Sequence, residues 1–223
     1  MFTGIIESIG TVRTLDSKEG GRVIGVRVPF KPLMGESIAL NGACLTVSGL
    51  FKEGFHAFVS SETMGRTTLG GLKVGSNLHV ERAVAADGRL GGHIVSGHVD
   101  GVGTVAARET LGETVVLKLK VPAALTRYLV EKGSLAVDGV SLTINAVAGD
   151  VVSLMLVPFT LKLTQLGKLE AGDAVNLEAD VISKLVVRTV ERILGKGDSQ
   201  PAQPAGVTME LLLKTGFLGH DGT

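Results

Sequence analysis

The chain has 223 residues, one cysteine and a formal net charge of zero, with 22 basic and 22 acidic residues mixed along its length. The balanced charge argues against nucleic-acid binding, and the single cysteine excludes an intrachain disulfide framework and fits a reducing cytoplasm. The first residues lack the pattern of a signal peptide, and the apolar stretch near residues 151–161 is too short to cross a bilayer. We therefore expect a cytoplasmic protein that binds neither nucleic acid nor a membrane.

Short β-branched segments separated by glycine dominate the first 180 residues. In the first half they predict strands over residues 5–12, 23–28, 37–40, 44–47, 55–60 and 77–81. In the second half they predict strands over residues 102–107, 115–121, 134–137, 141–147, 151–157 and 174–178. Short helices are predicted over residues 63–69 and 123–131. Regularly spaced short strands with Gly, Asp and Asn turns favour closed β-barrels or sandwiches.

Glycine is concentrated between the two sets of strands, in residues 87–98, which also contain His93 and His98. This stretch is either a flexible linker or a place where backbone and imidazole approach a ligand. No further His or Cys cluster completes a coordination set, so no metal is expected.

After residue 180 the apolar residues recur at the three- and four-residue spacing of a helix, over residues 181–194. This helix either packs on its own domain or serves association between chains.

The second half of the chain repeats the first at an offset of 97 residues. Such an interval is the size of a small domain and too long for a solenoid repeat. We expect an all-β chain with domains at residues 1–90 and 91–180, a helix at residues 181–195, and a linker and tail at residues 196–223. Because Cys44 returns as Ser141, and Ile5 as His98 at an offset of 93, the copies suggest two related ligands in two roles.

Two matching hairpins carry the polar residues of the repeat. Strand alternation puts Cys44 and Thr46 on one face, and Ser141 and Thr143 on the matching face of the second copy. Taken alone, a cysteine is most often a small buried apolar residue, and serine and threonine are ordinary in strands. If that face lines a barrel mouth, each copy presents two small hydrogen-bonding groups. Such a surface suits a flat heterocycle with polar edges better than a phosphate or a peptide.

Three motifs of this sequence together resemble the α-chain type of riboflavin synthase. They are the start Met1-Phe2-Thr3-Gly4-Ile5-Ile6-Glu7, the central Gly91-Gly92-His93 with Ser96-Gly97-His98-Val99-Asp100-Gly101, and the paired Asn41-Gly42-Ala43-Cys44-Leu45-Thr46 and Asp138-Gly139-Val140-Ser141-Leu142-Thr143. The resemblance covers residues 1 to about 194. It implies two tandem six-stranded Greek-key barrels and a C-terminal helix that assembles a homotrimer. The active site would then form between the N-barrel of one chain and the C-barrel of a neighbour.

The resemblance also implies a reaction. Each barrel would bind one 6,7-dimethyl-8-ribityllumazine, and a four-carbon unit would pass between the two molecules. The products would be riboflavin and 5-amino-6-ribitylaminopyrimidinedione, in the last step of riboflavin biosynthesis. No cofactor is expected because the substrate is its own electron sink, and lumazine synthase is suggested as a partner. The alternatives are a non-catalytic lumazine- or flavin-binding protein of the antenna type and, less favoured, a flavin-binding barrel of a reductase.

Site residues follow from the same resemblance. The expected catalytic residues are His98, Cys44, Ser141, Thr143 and Asp180, with His98 as the proton carrier because imidazole titrates near neutrality. The expected substrate-binding residues are Phe2, Thr3, Gly4, Ile5, Ile6, Cys44, Leu45, Thr46, Phe58, Ser60, Ser61, Glu62, Thr63, Gly97, His98, Val99, Lys132, Ser141, Leu142, Thr143, Met155, Val157, Pro158, Phe159 and Thr160. Three residues depart from the family pattern: Phe58 replaces an aspartate, Phe159 a polar residue and Leu185 a tyrosine. The Phe58 change removes a hydrogen-bond acceptor for the ribityl chain.

Overall fold

The computed structural model of the chain describes residues 1–195, and these form two successive sets of six strands. The first set is β1 (Ser8–Lys18), β2 (Gly21–Arg27), β3 (Ser37–Leu40), β4 (Ala43–Phe51), β5 (Gly54–Ser60) and β6 (Asn77–Arg82). The second set is β7 (Gly101–Leu111), β8 (Thr114–Lys120), β9 (Ser134–Val137), β10 (Val140–Ala148), β11 (Val151–Leu156) and β12 (Ala174–Ala179). The helices are α1 (Ser61–Arg66), α2 (Ala123–Thr126), α3 (Pro158–Leu163) and α4 (Val181–Ile193), with 3₁₀ turns at Thr68–Gly71 and Leu166–Lys168.

Each set of strands closes into an antiparallel barrel, here called the N-barrel and the C-barrel. The N-barrel has the spatial order β1-β2-β5-β4-β3-β6, and the C-barrel repeats it as β7-β8-β11-β10-β9-β12. In each barrel three consecutive hairpin-linked strands are joined by a fourth strand that lies beside the first of them, which is a Greek key. The prediction of two tandem six-stranded barrels is confirmed.

The interior of each barrel is filled with apolar side chains. Ile24 and Phe55 are fully buried in the N-barrel, as are Leu117 and Ile144 in the C-barrel. Burying one such side chain is worth about 1.5–3 kcal/mol, so these packed interiors supply the main stabilisation of the barrels. Neither interior is a cavity for a ligand, and any binding surface on a barrel lies on its outside.

The helical predictions were correct only in part. The stretch predicted over residues 63–69 is helical but begins earlier, with α1 at Ser61–Arg66 followed by the 3₁₀ turn. The helix predicted over residues 123–131 ends at Thr126. Helix α3 was not predicted, although moving α1 by the repeat offset of 97 residues gives the bounds of α3. Pro158 at its start favours helix initiation because proline has no N–H to leave unbonded in the first turn.

The Asn-Gly and Asp-Gly dipeptides form the tight turns that the sequence predicts. Asn41 and Asp138 both have a φ of 44°, and the glycines that follow have φ angles of 79° and 80°. Positive φ at both central residues is the requirement of the two-residue hairpin turn that suits twisted strands. These turns join β3 to β4 and β9 to β10.

The two barrels contact each other through a pair of equivalent side chains, His79 on β6 and Asn176 on β12. The Asn176 amide donates to the Asn41 carbonyl at 2.8 Å and accepts from the Thr68 N–H at 2.7 Å. The His79 ring repeats this pattern from the other side, with Nδ1 2.8 Å from the Asp138 carbonyl and Nε2 accepting from the Gln165 N–H at 2.7 Å. A neutral imidazole can take the place of an amide in this contact, because each group uses one hydrogen-bond donor and one acceptor here.

The chain divides into two compact units, one of residues Met1–Leu185 and one that begins at Val186. Helix α4 carries the division point and exposes its apolar side chains, which are Val181, Ile182, Leu185, Val186, Val190 and Ile193. Within residues 1–195, the helices are too short or too polar to cross a membrane. The predicted linker and tail at residues 196–223 lie outside the described residues.

Candidate active site

The polar residues singled out by the repeat lie on the outer wall of each barrel. On β4, Leu45 and Val47 point into the packed interior, so Cys44 and Thr46 point outward. The same alternation on β10 turns Ser141 outward. This face therefore does not line a barrel mouth, because the interior is already filled by apolar side chains.

Small residues on the adjacent strand lie beside the polar residues of both walls. In the N-barrel, Ala39 lies opposite Cys44 and Ser37 lies opposite Thr46. In the C-barrel, Ala136 and Ser134 occupy the equivalent places beside Ser141 and Thr143. Ala39 and Ala136 are buried together with Phe2 and Val95. The surface left for a planar ring is therefore formed by the outer residues Ser37 and Thr46 on one barrel and Ser134 and Thr143 on the other.

Each wall is completed by a segment from the other half of the repeat, so that a segment of the second half contacts the N-barrel and a segment of the first half contacts the C-barrel. The Cys44 N–H donates to the Gly97 carbonyl at 2.8 Å, and the Ser141 N–H donates to the Gly4 carbonyl at 2.8 Å. Ile6 consequently packs in the C-barrel core, and Val99 packs against the N-barrel core. The N-terminal segment thus serves the C-barrel, and residues 96–99 serve the N-barrel.

Glycine is needed at the two points of crossing. Gly4 and Gly97 have φ angles of 76° and 80°. A Cβ atom on Gly4 would lie 2.5 Å from the Cβ atom of Ser141, and one on Gly97 would lie 2.5 Å from the Cβ atom of Cys44. A side chain at either position would push the segment off its wall, since non-bonded carbon atoms do not approach each other this closely.

Two equivalent buried glutamates fix these segments in place. Glu81 accepts from the Thr3 N–H at 2.6 Å and from the Gly4 N–H at 3.1 Å. Glu178 accepts from the Ser96 N–H at 2.7 Å and from the Gly97 N–H at 3.0 Å. Burial raises the pKa of both carboxyl groups above the usual value, while these hydrogen bonds lower it. The two glutamates lie 97 residues apart, at the repeat offset, but none of the expected site residues was a glutamate of this pair.

The two histidines of residues 87–98 differ in their surroundings. His98 is exposed and follows Gly97, so it stands at the edge of the N-barrel wall. His93 is buried, and its Nδ1 lies 2.7 Å from the Ser141 Oγ atom. Burial lowers the pKa of His93 below its usual value, and the negative charge of Asp180 opposes this shift. Sequence reasoning placed the chemistry at His98 and missed the contact of His93 with Ser141.

Lys132 and Asp180 lie near the C-barrel wall for different reasons. Asp180 accepts from the Ile182 N–H at 2.8 Å and so caps α4. Lys132 has a φ of 64°, in the left-handed region, where the equivalent residue of the first copy is Gly35. A lysine in this conformation costs about 1–2 kcal/mol relative to glycine, which favours a role for its side chain.

The strand beside each wall leads into a short helix. In the N-barrel, β5 carries Phe58 and ends at Ser60, whose Oγ accepts from the Thr63 N–H at 3.1 Å and caps α1. In the C-barrel, β11 carries Met155 and leads into α3, where Phe159 is 71% exposed. The C-barrel side of the site is therefore the more apolar of the two.

A cavity lies next to the polar walls. A cavity of about 580 Å³ lies beside the N-terminal segment and is lined in part by Ile5, Glu36 and Gly91. Its lining includes Ser37 of the N-barrel wall but neither Cys44 nor Ser141. Thr46 and Thr143 are exposed, so both walls are open at these residues. Among residues 1–195, no group of three or more His, Cys, Asp or Glu residues lies close enough to hold a metal ion.

Comparison with known proteins decides the family. The family model described as the lumazine binding domain matches residues 3–83 and again residues 96–180. A riboflavin synthase of Photobacterium phosphoreum is 40% identical over 222 residues, which cover 98% of this chain and 100% of that protein. The chain belongs to the riboflavin synthase family. The riboflavin synthase of Bacillus subtilis strain 168 is also 40% identical over 222 residues, covering 97% of this chain and 100% of that protein.

A solved structure has a similar fold. LumP complexed with riboflavin is 25% identical and has a TM-score of 0.74, covering 80% of this chain and 99% of that chain. The resemblance noted in the sequence, to the riboflavin synthases, is confirmed.

The structure sorts the riboflavin synthase residues expected from the sequence into two outer walls. Those at the N-barrel wall are Cys44, Thr46, Phe58, Ser60, Ser61, Glu62, Thr63, Gly97, His98 and Val99. Those at the C-barrel wall are Gly4, Ile5, Lys132, Ser141, Thr143, Met155, Val157, Pro158, Phe159 and Thr160. The side chains of Phe2, Thr3, Ile6, Leu45 and Leu142 are buried, so these residues offer a ligand little beyond their backbone groups.

Proposed function

We propose that this chain converts two molecules of 6,7-dimethyl-8-ribityllumazine into riboflavin and 5-amino-6-ribitylaminopyrimidinedione. It is an enzyme of the transferase class. Its relatives named riboflavin synthase are 40% identical to it over nearly the whole length of both chains. The two matches to the lumazine binding domain support one substrate molecule on each barrel.

One observation carries this proposal: the two outer walls share one geometry but differ in their polar groups. Cys44 and Ser141 occupy equivalent strand positions. The backbone N–H of each donates a hydrogen bond to a segment from the other half of the repeat, at the carbonyl of Gly97 or of Gly4. A dismutation brings together two copies of one substrate in opposite roles. A duplicated site with diverged side chains suits that requirement, whereas a carrier of one chromophore needs only one such wall.

The reaction requires orientation and proton transfer more than strong chemical activation. The C7 methyl group of the substrate loses a proton, and the pteridine ring delocalises the resulting carbanion. The protein must hold two rings against each other and move protons at a few atoms. We assign proton transfer at the N-barrel wall to His98, and hydrogen bonding to ring or ribityl oxygens to Thr46, Ser141, Thr143 and Lys132.

Assembly is part of the proposal because the walls are open. An outward-facing wall excludes water from a reacting ring only when a second surface covers it. We propose a homotrimer in which the N-barrel wall of one chain faces the C-barrel wall of a neighbour. The exposed apolar residues of α4 support association between chains, since three such helices can bury one another's side chains.

The test blocks one wall at a time. Thr46→Tyr and Thr143→Tyr each place a large side chain on an outer wall without filling a core, so both variants are expected to fold. Each should abolish riboflavin formation, because the reaction needs both substrate molecules. Thr104→Tyr is the matched control, since Thr104 is exposed on β7, across the C-barrel from β10.

Three outcomes separate the alternatives. Loss of riboflavin formation in both wall variants, with normal activity in the control, supports the two-site proposal. Activity that survives either blocked wall contradicts it. Tight binding of the lumazine by the unaltered chain, without any riboflavin, would instead identify a chromophore-binding protein of the antenna type.

A further inference from the structure

The first turn of α4 is tied to the segment that completes the N-barrel wall. Asp100 directly follows residues 96–99, and its Oδ2 atom lies 2.6 Å from the Nζ atom of Lys184 on α4. The same oxygen accepts from the Ala179 N–H at 2.8 Å, and the Asp100 N–H donates to the Leu177 carbonyl at 2.8 Å. The end of the segment is therefore held by both β12 and α4.

Lys184 also acts on the start of the same segment, through Glu178. The Glu178 carboxylate accepts from the backbone N–H groups of Ser96 and Gly97. Burial raises the pKa of this carboxyl group, and the positive charge of Lys184 is among the effects that lower it. One cation thus favours the charged form of both carboxylates that hold residues 96–99.

The ion pair between Lys184 and Asp100 is partly shielded from solvent. The two side chains are 27% and 24% exposed, compared with 67% and 74% in the pair between Arg66 and Glu62 on α1. Charges that are removed from solvent are screened less by salt. Removing one partner of such a pair leaves the other charge partly buried and uncompensated.

The first half of the repeat holds its segment without a helix. Glu7 is the counterpart of Asp100 at the offset of 93 residues, and its Oε2 atom lies 2.8 Å from the Nε atom of Arg82. Glu7 also accepts from the Arg82 backbone N–H at 3.1 Å, as Asp100 does from that of Ala179. Because Arg82 ends β6, the cation comes from the barrel itself in the first half and from α4 in the second.

We propose that Lys184 is a positioning residue for the N-barrel wall, which fixes from α4 the segment that carries Gly97 and His98. The Gly97 carbonyl accepts from the Cys44 N–H at 2.8 Å, so a displaced segment alters the wall itself. It also moves His98, to which proton transfer is assigned. This inference rests on the proposed function, which gives the wall its substrate.

Hydrogen exchange of the unliganded chain reports on the segment directly. Lys184→Met keeps most of the side-chain length without the charge, and it should speed amide exchange in residues 96–97 at least about fivefold. Exchange in residues 3–4, the equivalent segment, should change less than about twofold because that segment is held by Arg82 instead. Arg82→Met is the matched control, since it breaks the equivalent ion pair, and it should leave exchange in residues 96–97 unchanged.

Substrate binding gives a second readout, one wall at a time. In Thr143→Tyr only the N-barrel wall is open to lumazine, and adding Lys184→Met should raise Kd about 5–20-fold in a fluorescence titration. In Thr46→Tyr only the C-barrel wall is open, and the same addition should change Kd less than about twofold. Lys184→Arg keeps the positive charge and should restore both exchange and binding to within about twofold of the unaltered chain.

Three results would overturn the inference. One is unchanged exchange in residues 96–97 of Lys184→Met, and another is equal weakening of binding at both walls, which indicates general destabilisation. The third is additivity of Lys184→Met with Asp100→Asn, which keeps an oxygen for the Ala179 N–H, because the effects of two partners in one ion pair do not add. Absence of riboflavin formation by the unaltered chain would instead overturn the proposed function, and hydrogen exchange would still report on Lys184.

Discussion

His79 makes one half of the contact between the barrels sensitive to acid, and replacing it with asparagine should remove that sensitivity. The ring donates from Nδ1 to the Asp138 carbonyl and accepts at Nε2 from the Gln165 N–H. Protonation of Nε2 would place its N–H against the Gln165 N–H, so that two donors would face each other. Asn176 makes the equivalent contact with an amide that does not titrate, so His79→Asn copies a geometry that the molecule already contains.

The size of the effect follows from the pKa of His79. Burial lowers it from the ordinary 6.5 to about 4, so the unfolded chain binds a proton that the folded chain resists. This stabilisation is complete above pH 6.5 and is lost as the pH falls toward 4. At about 1.4 kcal/mol per pKa unit, the loss amounts to about 3 kcal/mol.

A second buried group titrates in the opposite sense nearby. Burial raises the pKa of Asp138 from 3.8 to about 7, so its contribution to stability is lost as the pH rises through this range. The two slopes oppose each other between pH 4 and 6.5 in the unaltered chain. Because the Asp138 contribution is common to both proteins, the difference between variant and unaltered chain isolates His79. Asp173 lines a cavity between the barrels together with His79 and Asp138, and its contribution is also common to both proteins.

The assay is urea unfolding of the two proteins at pH 7, 5.5 and 4. The free energy of unfolding of His79→Asn relative to the unaltered chain should rise by about 3 kcal/mol from pH 7 to pH 4. Asn176→His is the matched control and should make the chain more sensitive to acid, because it places a second imidazole in the equivalent contact. An unchanged difference across this pH range would refute the account of the interface.

Three further predictions concern the walls and the helix. Glu178→Gln should destabilise the chain by about 1–3 kcal/mol in thermal unfolding and weaken lumazine binding at the N-barrel wall, since an amide N–H would oppose the backbone donors of Ser96 and Gly97. Lys132→Gly should raise the free energy of unfolding by up to about 1 kcal/mol by relieving the left-handed backbone, while weakening lumazine binding in a fluorescence titration. Glutamate at Ile182, Leu185 and Ile193 together should give monomers in sedimentation that bind lumazine but form little riboflavin; a fully active monomer would contradict the shared site.

The repeat made much of the fold predictable, because equivalent residues have equivalent environments. Strand periodicity located all twelve strands of the described residues, and the Asn-Gly and Asp-Gly dipeptides located their turns. The repeat could also have supplied α3, which a local pattern with Pro158 inside it did not suggest. Alternation placed Cys44 beside Thr46 on one face but did not tell that this face is outward.

The crossing of the segments could not be predicted from the sequence. An offset equates Gly4 with Gly97, but it does not tell which barrel each residue contacts, since that depends on packing between distant parts of the chain. The contact of His93 with Ser141 was missed for a similar reason, because their positions in the sequence do not show that the two side chains lie close together. Glu81 and Glu178 were visible as a repeated pair, yet the hydrogen bonds that give them their role come from segments about 80 residues away.

Product stoichiometry tests the central claim most directly. Purified chain is incubated with 6,7-dimethyl-8-ribityllumazine alone, with no added cofactor, and substrate and products are separated and quantified over time. The account predicts that one riboflavin and one 5-amino-6-ribitylaminopyrimidinedione form for every two lumazine molecules consumed. Lumazine that is bound but recovered unchanged, or riboflavin formed without an equal amount of the pyrimidinedione, would contradict it.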